Sequence, residues 1–321
     1  MKVKILFVMV ILILGNIALA KKSEDSPKVF KKSQYNVFYD TPQKSLNLTT
    51  PAIISFDDTN NSIVVQVMIN GKGPYRFLVD TGLGFSTMTT ELERELNLPK
   101  VMEGGFYINN VVHQVKFYRV KELSIGEAKL NNYDFIVSPK LTVIDDVKKV
   151  RNISFDGILG FGAFKHYLLA IDYPQKKLSL ESGTLTNDPS ALKYKNDYNV
   201  PVLSIKFLDK DKKTLDALFM IDSGFNEEFF LPPNINAIDL KPLKTTEGKG
   251  LGTEGESTVG IVQIDGYALI GNEIINNPKL AYRTTKMKGA SPIGLMGHAI
   301  ISKFKITFDQ KNALIKFEKI K

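Results

Sequence analysis

Four elements of this chain occur twice, in the same order and at nearly constant separation. An apolar run ending in Asp, a hydroxyl residue and Gly, Phe77-Leu78-Val79-Asp80-Thr81-Gly82, returns as Phe219-Met220-Ile221-Asp222-Ser223-Gly224. Ser124-Ile125-Gly126 with Leu130-Asn131-Asn132 returns as Leu269-Ile270-Gly271 with Ile275-Asn276-Asn277. Gly157-Ile158-Leu159-Gly160 returns as Gly294-Leu295-Met296-Gly297. The pair Leu169-Ala170-Ile171-Asp172 and Leu178-Ser179-Leu180 returns as Ile306-Thr307-Phe308-Asp309 and Ile315-Lys316-Phe317. The separations are 142 (Asp80 to Asp222), 145 (Gly126 to Gly271) and 137 (Gly160 to Gly297). Near-constant offsets with small slips are what a duplication with loop-length changes leaves behind. The chain is therefore expected to build two similar units.

Each copy of the first element reads as a buried strand that delivers a carboxylate into a glycine-permitted turn. An aspartate held there is costly to ionise without a partner or a purpose. Two such loops face to face bring two carboxylates together. Like charges at close range cannot both ionise easily, so the pair holds one proton between them. One member then accepts a proton from water while the other donates one to a carbonyl oxygen. Asp-Thr-Gly and Asp-Ser-Gly also mark ordinary turns, and two unrelated turns is the plainer reading. The strand before each copy and the repeat around it argue for the first.

With their flanking strands, the two Asp-Thr/Ser-Gly loops resemble the active-site loops of the bilobal aspartic peptidases, the pepsin and retropepsin family, in a bacterial exported form. The resemblance covers residues 63–180 and 200–317. It implies a mainly β fold of two pseudo-symmetric pepsin-like lobes with an active-site cleft between them. Asp80 and Asp222 would be the catalytic pair. Thr81 and Ser223 would bond across to the opposite loop, and Gly82 and Gly224 would let backbone N–H groups approach the carboxylates. Phe155-Asp156-Gly157-Ile158-Leu159-Gly160 resembles the strand that supports the catalytic loop from behind. Residues 104–118 form a candidate flap hairpin turning near Asn109-Asn110, with Tyr107 as its substrate-touching residue or simply a strand aromatic. The family pattern needs no metal or cofactor, and the implied partner is an extended peptide or protein substrate.

The chain departs from the pepsin pattern at Leu83 and Phe225, where a Ser or Thr would support the outer carboxylate oxygen. Glu227 and Glu228 add negative charge soon after Asp222; solvated loop residues are the reading adopted for them. The helix expected after the first loop has a capping box at Thr90-Glu93, Leu92 and Leu96 on one face, and Pro99 as its stop.

Residues 1–20 carry Lys2 and Lys4, an apolar run and Ala18-Leu19-Ala20, the pattern of a cleaved secretory signal. An uncleaved anchor is the alternative. Export to the periplasm or the medium follows, with no stable membrane insertion after cleavage. Residues 21–51 read as a flexible lead-in or an inhibitory prosegment, 52–182 and 200–321 as the two lobes, and 183–199 as a polar linker. A monomer is expected.

Other chemistries have less behind them. There is no cysteine, which excludes thiol nucleophiles, disulfides and zinc–thiolate sites. Three histidines, His113, His166 and His298, have no paired spacing for a metal or a Ser-His-Asp triad. The formal charge of +8 is scattered rather than striped among aromatics, which disfavours nucleic acid. Gly82-Leu83-Gly84-Phe85 spells a PDZ carboxylate loop without a PDZ-like surround. Gly250-x-Gly252-x-x-Gly255 lacks the strand and helix a dinucleotide fingerprint needs, and reads as a mobile hairpin or loop. The rival function is a catalytically silent peptide- or glycan-binding protein on the same scaffold.

Overall fold

In the computed structural model, residues 6–8, 48–108, 111–137, 148, 152–197, 199–232, 235, 239–252, 255–284 and 292–319 are described. They are mainly β and form sheets of seven, six and eleven strands. Most of the segment expected as a signal, most of the lead-in and the Asn109-Asn110 turn lie outside the described residues. Within the first twenty residues, Leu6–Val8 runs parallel to Lys249, Gly250 and Leu251.

The seven-stranded sheet belongs to the first half. Its spatial order is Val64–Ile69, Lys72–Asp80, Gly157–Gly160, Thr87–Met88, Ala128–Val137, Val111–Ile125, Lys100–Ile108. The second half repeats this wiring within the eleven-stranded sheet. There the order is Val200–Asp209, Thr214–Ile221, Ile293–Met296, Phe229–Phe230, Lys279–Arg283, Gly255–Ile264, Pro242–Gly252. The hairpin Gly266–Ile270 and Glu273–Asn276 is added beside Val200–Asp209. The turn residues echo as well: Gly126 and Gly271 have φ of 58° and 61°, Asn132 and Asn277 have 55° and 49°.

The strand that delivers each aspartate is apolar because it is covered on both faces. Phe77, Leu78 and Val79 are fully buried, as are Phe219 and Ile221. Each pairs in parallel with a Gly-rich strand, Val79 with Leu159 and Met220 with Leu295. Continuous apolar runs are the signature of strands buried in this way.

The six-stranded sheet joins the halves. Its order is Leu192–Lys193, Leu314–Lys319, Phe304–Asp309, Leu168–Asp172, Lys177–Glu181, Ala52–Ser55. The central pair is antiparallel, with Leu168 opposite Asp309, Ala170 opposite Thr307 and Asp172 opposite Lys305. Ala170 and Thr307 are separated by the same 137 positions as Gly160 and Gly297. The register is thus centred on two equivalent residues, one from each half.

Local details refine the sequence reading, beginning with the first hairpin. The first hairpin turns at Asn70-Gly71, with φ of 52° and 76°, so its return strand begins at Lys72. Two successive positive φ values are what a tight hairpin turn demands, and Asn-Gly supplies them. The helix Thr90–Leu96 is capped by Thr89, whose Oγ1 accepts from the Leu92 N–H at 3.2 Å, and it ends on Asn97 in the left-handed region. The polar stretch 183–199 is more than a connector. Leu192–Lys193 pairs with Leu314–Lys319, Lys195–Asp197 pairs with Val200–Asp209, and Tyr194 is buried. The Gly250 segment lies in two paired strands of a long hairpin, Pro242–Gly252 with Gly255–Ile264.

Candidate active site

Each Asp loop follows one of the parallel strand pairs, and the two loops meet. Thr81 and Ser223 interlock. The Thr81 hydroxyl donates to the Ile221 carbonyl at 2.7 Å and accepts from the Ser223 N–H at 3.0 Å. The Ser223 hydroxyl donates to the Val79 carbonyl at 3.0 Å and accepts from the Thr81 N–H at 3.0 Å. Both side chains are buried. Four reciprocal bonds between loops 142 residues apart fix them against each other.

Asp80 and Asp222 are 1% and 0% exposed, which matters because burial disfavours two charges at once. The Gly82 N–H donates to Asp80 Oδ1 at 2.8 Å, and the Gly224 N–H donates to Asp222 Oδ1 at 2.8 Å. Each glycine also faces the other carboxylate. A Cβ on Gly82 would lie 2.5 Å from Asp222 Cγ, and one on Gly224 would lie 2.6 Å from Asp80 Oδ2. The absence of a side chain at both positions is what lets each loop lie against the opposite aspartate.

Leu83 and Phe225 stand where a hydroxyl was missed, and they work as anchors. Leu83 is buried with Val64, Leu78, Phe155 and Ile158. Phe225 is buried with Met220, Phe230, Val259 and Leu295. The Leu83 carbonyl accepts from the Phe161 N–H at 2.6 Å, and the Phe225 carbonyl accepts from the His298 N–H at 2.6 Å. Gly160 and Gly297 sit against these turns. A Cβ on Gly160 would be 2.1 Å from the Phe85 carbonyl oxygen, and one on Gly297 would be 2.4 Å from that of Phe225. In the first half the Gly160 N–H donates to Ser86 Oγ, which also pairs with the Tyr133 hydroxyl.

Sequence reasoning missed two buried residues beneath the loops. Tyr173 packs edge-on against the His298 ring at 5.2 Å, and its hydroxyl meets no hydrogen-bond partner among the described residues. Burial, then the charges of Asp222 and Asp80, push its pKa well above the ordinary range. Gln310 donates to the Phe161 carbonyl at 2.7 Å. Tyr173 and Gln310 are 137 positions apart, and so are Phe161 and His298. Each half therefore sends one side chain to the same element of the other. The signal was the repeat offset applied beyond the aspartate loops.

Glu228 is half-buried and accepts from the Lys279 N–H at 2.8 Å. Glu227 departs from the solvated reading: it is half-buried, and desolvation raises its pKa against the pull of Lys279, with Glu228 adding to the rise. The Tyr107 backbone pairs with Val112 in the hairpin, and its side chain lies outside what is described.

Residues 65–163 match the family model described as Aspartyl protease. The matched segment holds Asp80-Thr81-Gly82 and Gly157–Gly160; Asp222 lies outside it. The comparison with curated proteins finds no match. The matched segment is aspartic protease-like, and peptide hydrolysis by aspartates is the activity that likeness suggests.

Proposed function

We propose that the chain is an exported, bilobal aspartic endopeptidase in which Asp80 and Asp222 jointly activate water. The observation that carries this reading is the reciprocal lock between Thr81 and Ser223, which holds two buried aspartates on facing loops. A turn serving only to reverse the chain has no need of such a partner.

In the proposed reaction the ionised aspartate removes a proton from water, and the water oxygen bonds to the peptide carbonyl carbon. The protonated aspartate gives its proton to the carbonyl oxygen as charge develops there. The tetrahedral intermediate collapses when the first aspartate, now protonated, delivers its proton to the leaving nitrogen and the C–N bond breaks. A hydroxyl proton of the intermediate returns to the other aspartate, so the pair regains its single shared proton. The rigid loops contribute preorganisation, since a carboxylate already placed loses little freedom on the way to the transition state.

Export is supported by the basic, apolar and small-residue order of residues 1–20, and a monomer by the presence of both aspartates in one chain. Cleavage after Ala20 would remove the short strand Leu6–Val8 and leave both aspartate loops intact. Sequencing of envelope protein should find Lys21 first.

The test of the activity is hydrolysis of unfolded casein across pH by wild type, Asp80→Asn and Asp222→Asn, with circular dichroism to follow the fold. Each variant should lose activity by at least about a thousandfold while remaining folded, because an amide can neither take nor give the proton. Near-wild-type turnover in either variant sinks the shared-proton pair. Binding of peptide by wild type without turnover at any pH favours the silent binding protein.

A further inference from the structure

Ser86 is a buried hydroxyl residue that the proposed chemistry leaves unused. It follows Asp80 by six positions, and its Oγ accepts from the Gly160 N–H at 3.0 Å. Gly160 is the residue opposite Asp80 in the parallel pairing of Lys72–Asp80 with Gly157–Gly160. It also lies against the turn after the aspartate. A Cβ on Gly160 would be 2.1 Å from the Phe85 carbonyl oxygen and 2.6 Å from that of Leu83. Through one backbone group, Ser86 reaches both the strand that delivers Asp80 and the loop that follows it.

The hydroxyl is itself held. It pairs with the Tyr133 hydroxyl, and the Ser86 carbonyl accepts from the Ile136 N–H at 2.9 Å, on the same strand as Tyr133. Both side chains are buried, so water does not readily compete for these bonds. The Tyr133 ring packs edge-on against Phe135 at 5.1 Å, and Phe135 packs against Phe77 of the Asp80 strand at 5.6 Å. A serine hydroxyl has three staggered rotamers. A tyrosine fixed in this way selects the one that turns the oxygen to the Gly160 N–H.

The second half makes the same contact without a side chain. Glu228 stands 142 positions after Ser86, and there the backbone carbonyl accepts from the Gly297 N–H at 2.9 Å. The residue matching Tyr133 at the offset of 145 is Pro278, which has no hydroxyl. A carbonyl belongs to the chain and stays whatever side chain the residue carries. Only in the first half does this support of the aspartate depend on two side chains.

We propose that Ser86 and Tyr133 are positioning residues of the peptidase reaction, whose hydroxyl pair fixes Gly160 and through it the place of the Asp80 carboxylate relative to that of Asp222. This rests on the peptidase reading above. A buried N–H without an acceptor is costly, so the backbone at Gly160 shifts when Ser86 Oγ is removed. Leu83 and Phe85, whose carbonyls lie against Gly160, shift with it, and Leu83 directly follows the Asp80-Thr81-Gly82 turn. Thr81 remains bonded to Ser223, so the loops stay joined while the carboxylate loses its setting. Two carboxylates that share a proton titrate as a pair, and the separation of their apparent pKa values measures their interaction. A misplaced Asp80 changes that separation, whereas a loss of stability alone does not.

The experiment measures kcat, KM and the pH profile of kcat/KM on a quenched fluorescent peptide taken from a casein cleavage site. Wild type, Ser86→Ala and Tyr133→Phe are compared at a temperature where circular dichroism shows each to be folded. Ser86→Ala should lower kcat by about tenfold to a hundredfold, the scale of a carboxylate misplaced by up to about 1 Å, with KM changed far less. It should also bring the two limbs of the bell-shaped profile closer together. Tyr133→Phe should show both changes at smaller amplitude, because the Gly160 N–H keeps its acceptor. Wild-type kcat and unmoved limbs in both variants, even with a lower Tm, overturn the inference and leave the peptidase reading standing. If Ser86→Ala does not fold, Tyr133→Phe decides alone by the same two readouts. Wild type that cleaves no peptide overturns both.

Discussion

Removing the Thr81 hydroxyl is the most direct test of how the two loops are held. In Thr81→Ala the Ile221 carbonyl loses a donor at 2.7 Å and the Ser223 N–H loses an acceptor at 3.0 Å. Thr81 is 1% exposed, so water does not readily replace it. Each buried group left without a partner costs about 1–3 kcal/mol, which puts the substitution at roughly 2–6 kcal/mol. At about 2.1 cal/mol/K per residue, the 321 residues lose roughly 1.5 °C of Tm per kcal/mol, so the expected drop is about 3–9 °C. Thr81→Ser keeps both bonds and loses one methyl, for about 1 kcal/mol. The assay is thermal unfolding of wild type, Thr81→Ala, Thr81→Ser and Ser223→Ala, with casein hydrolysis in parallel. Ser223→Ala should match Thr81→Ala, because it orphans the Val79 carbonyl and the Thr81 N–H in the same way. Equal losses in Thr81→Ala and Thr81→Ser would show that the methyl, not the hydroxyl, holds the loop, and would refute the reasoning.

Gly82→Ala and Gly224→Ala should each lower kcat/KM by about a hundredfold or more, since the new Cβ pushes on the opposite aspartate at 2.5 and 2.6 Å; activity retained in either would contradict the close approach. Tyr173→Phe should raise stability by about 1 kcal/mol by deleting a buried hydroxyl without a described partner, and a fall in Tm would show that the hydroxyl is satisfied. The Asp309 carboxyl is raised by burial but held below 3.8 overall by hydrogen bonds from Asn312, Leu185 and Thr184. A depressed folded pKa contributes stability above the unfolded pKa that is lost as pH falls from about 4 through the folded value. Urea unfolding from pH 5 down to pH 2 should therefore show a smaller acid loss in Asp309→Asn than in wild type.

What could be read in the sequence was whatever local chemistry enforces. An apolar run buried on both faces has to be apolar throughout, so the strands before Asp80 and Asp222 were visible, as were the supporting strands at Gly157 and Gly294. Tertiary packing carried the rest. Nothing local says that Leu83 fills a space between Val64, Phe155 and Ile158; the missing hydroxyl was all that showed. Thr89 and Thr90 are equivalent as caps by composition, and only the path of the chain out of the Thr87–Met88 strand selects Thr89. The stretch 183–199 looked like a linker because its residues are polar, yet Thr184 and the Leu185 N–H are bound to the Asp309 carboxylate. Polarity recorded the hydrogen bonds without saying where they went. Glu227 gives the opposite error, a charge read as solvated that the fold leaves half-buried.

The way the halves are joined explains why both aspartates arrive together. The central strands Leu168–Asp172 and Phe304–Asp309 pair about Ala170 and Thr307, so the interface is made by equivalent residues. The supporting elements that start at Phe161 and His298 each lead directly into one of these strands. Each also receives a side chain from the other half, Gln310 on the Phe161 carbonyl and Tyr173 on the His298 ring. Their N–H groups in turn hold the Leu83 and Phe225 carbonyls, one residue past the loop glycines. A shift of one half along the central pairing would therefore carry its aspartate loop with it and break the Thr81–Ser223 lock. The sheet below and the hydroxyls above constrain the same displacement. The side chains of the two halves can then differ at matching positions such as Phe85 and Glu227, whose backbone carbonyls pack against Gly160 and Gly297 in the same way, without moving the carboxylates.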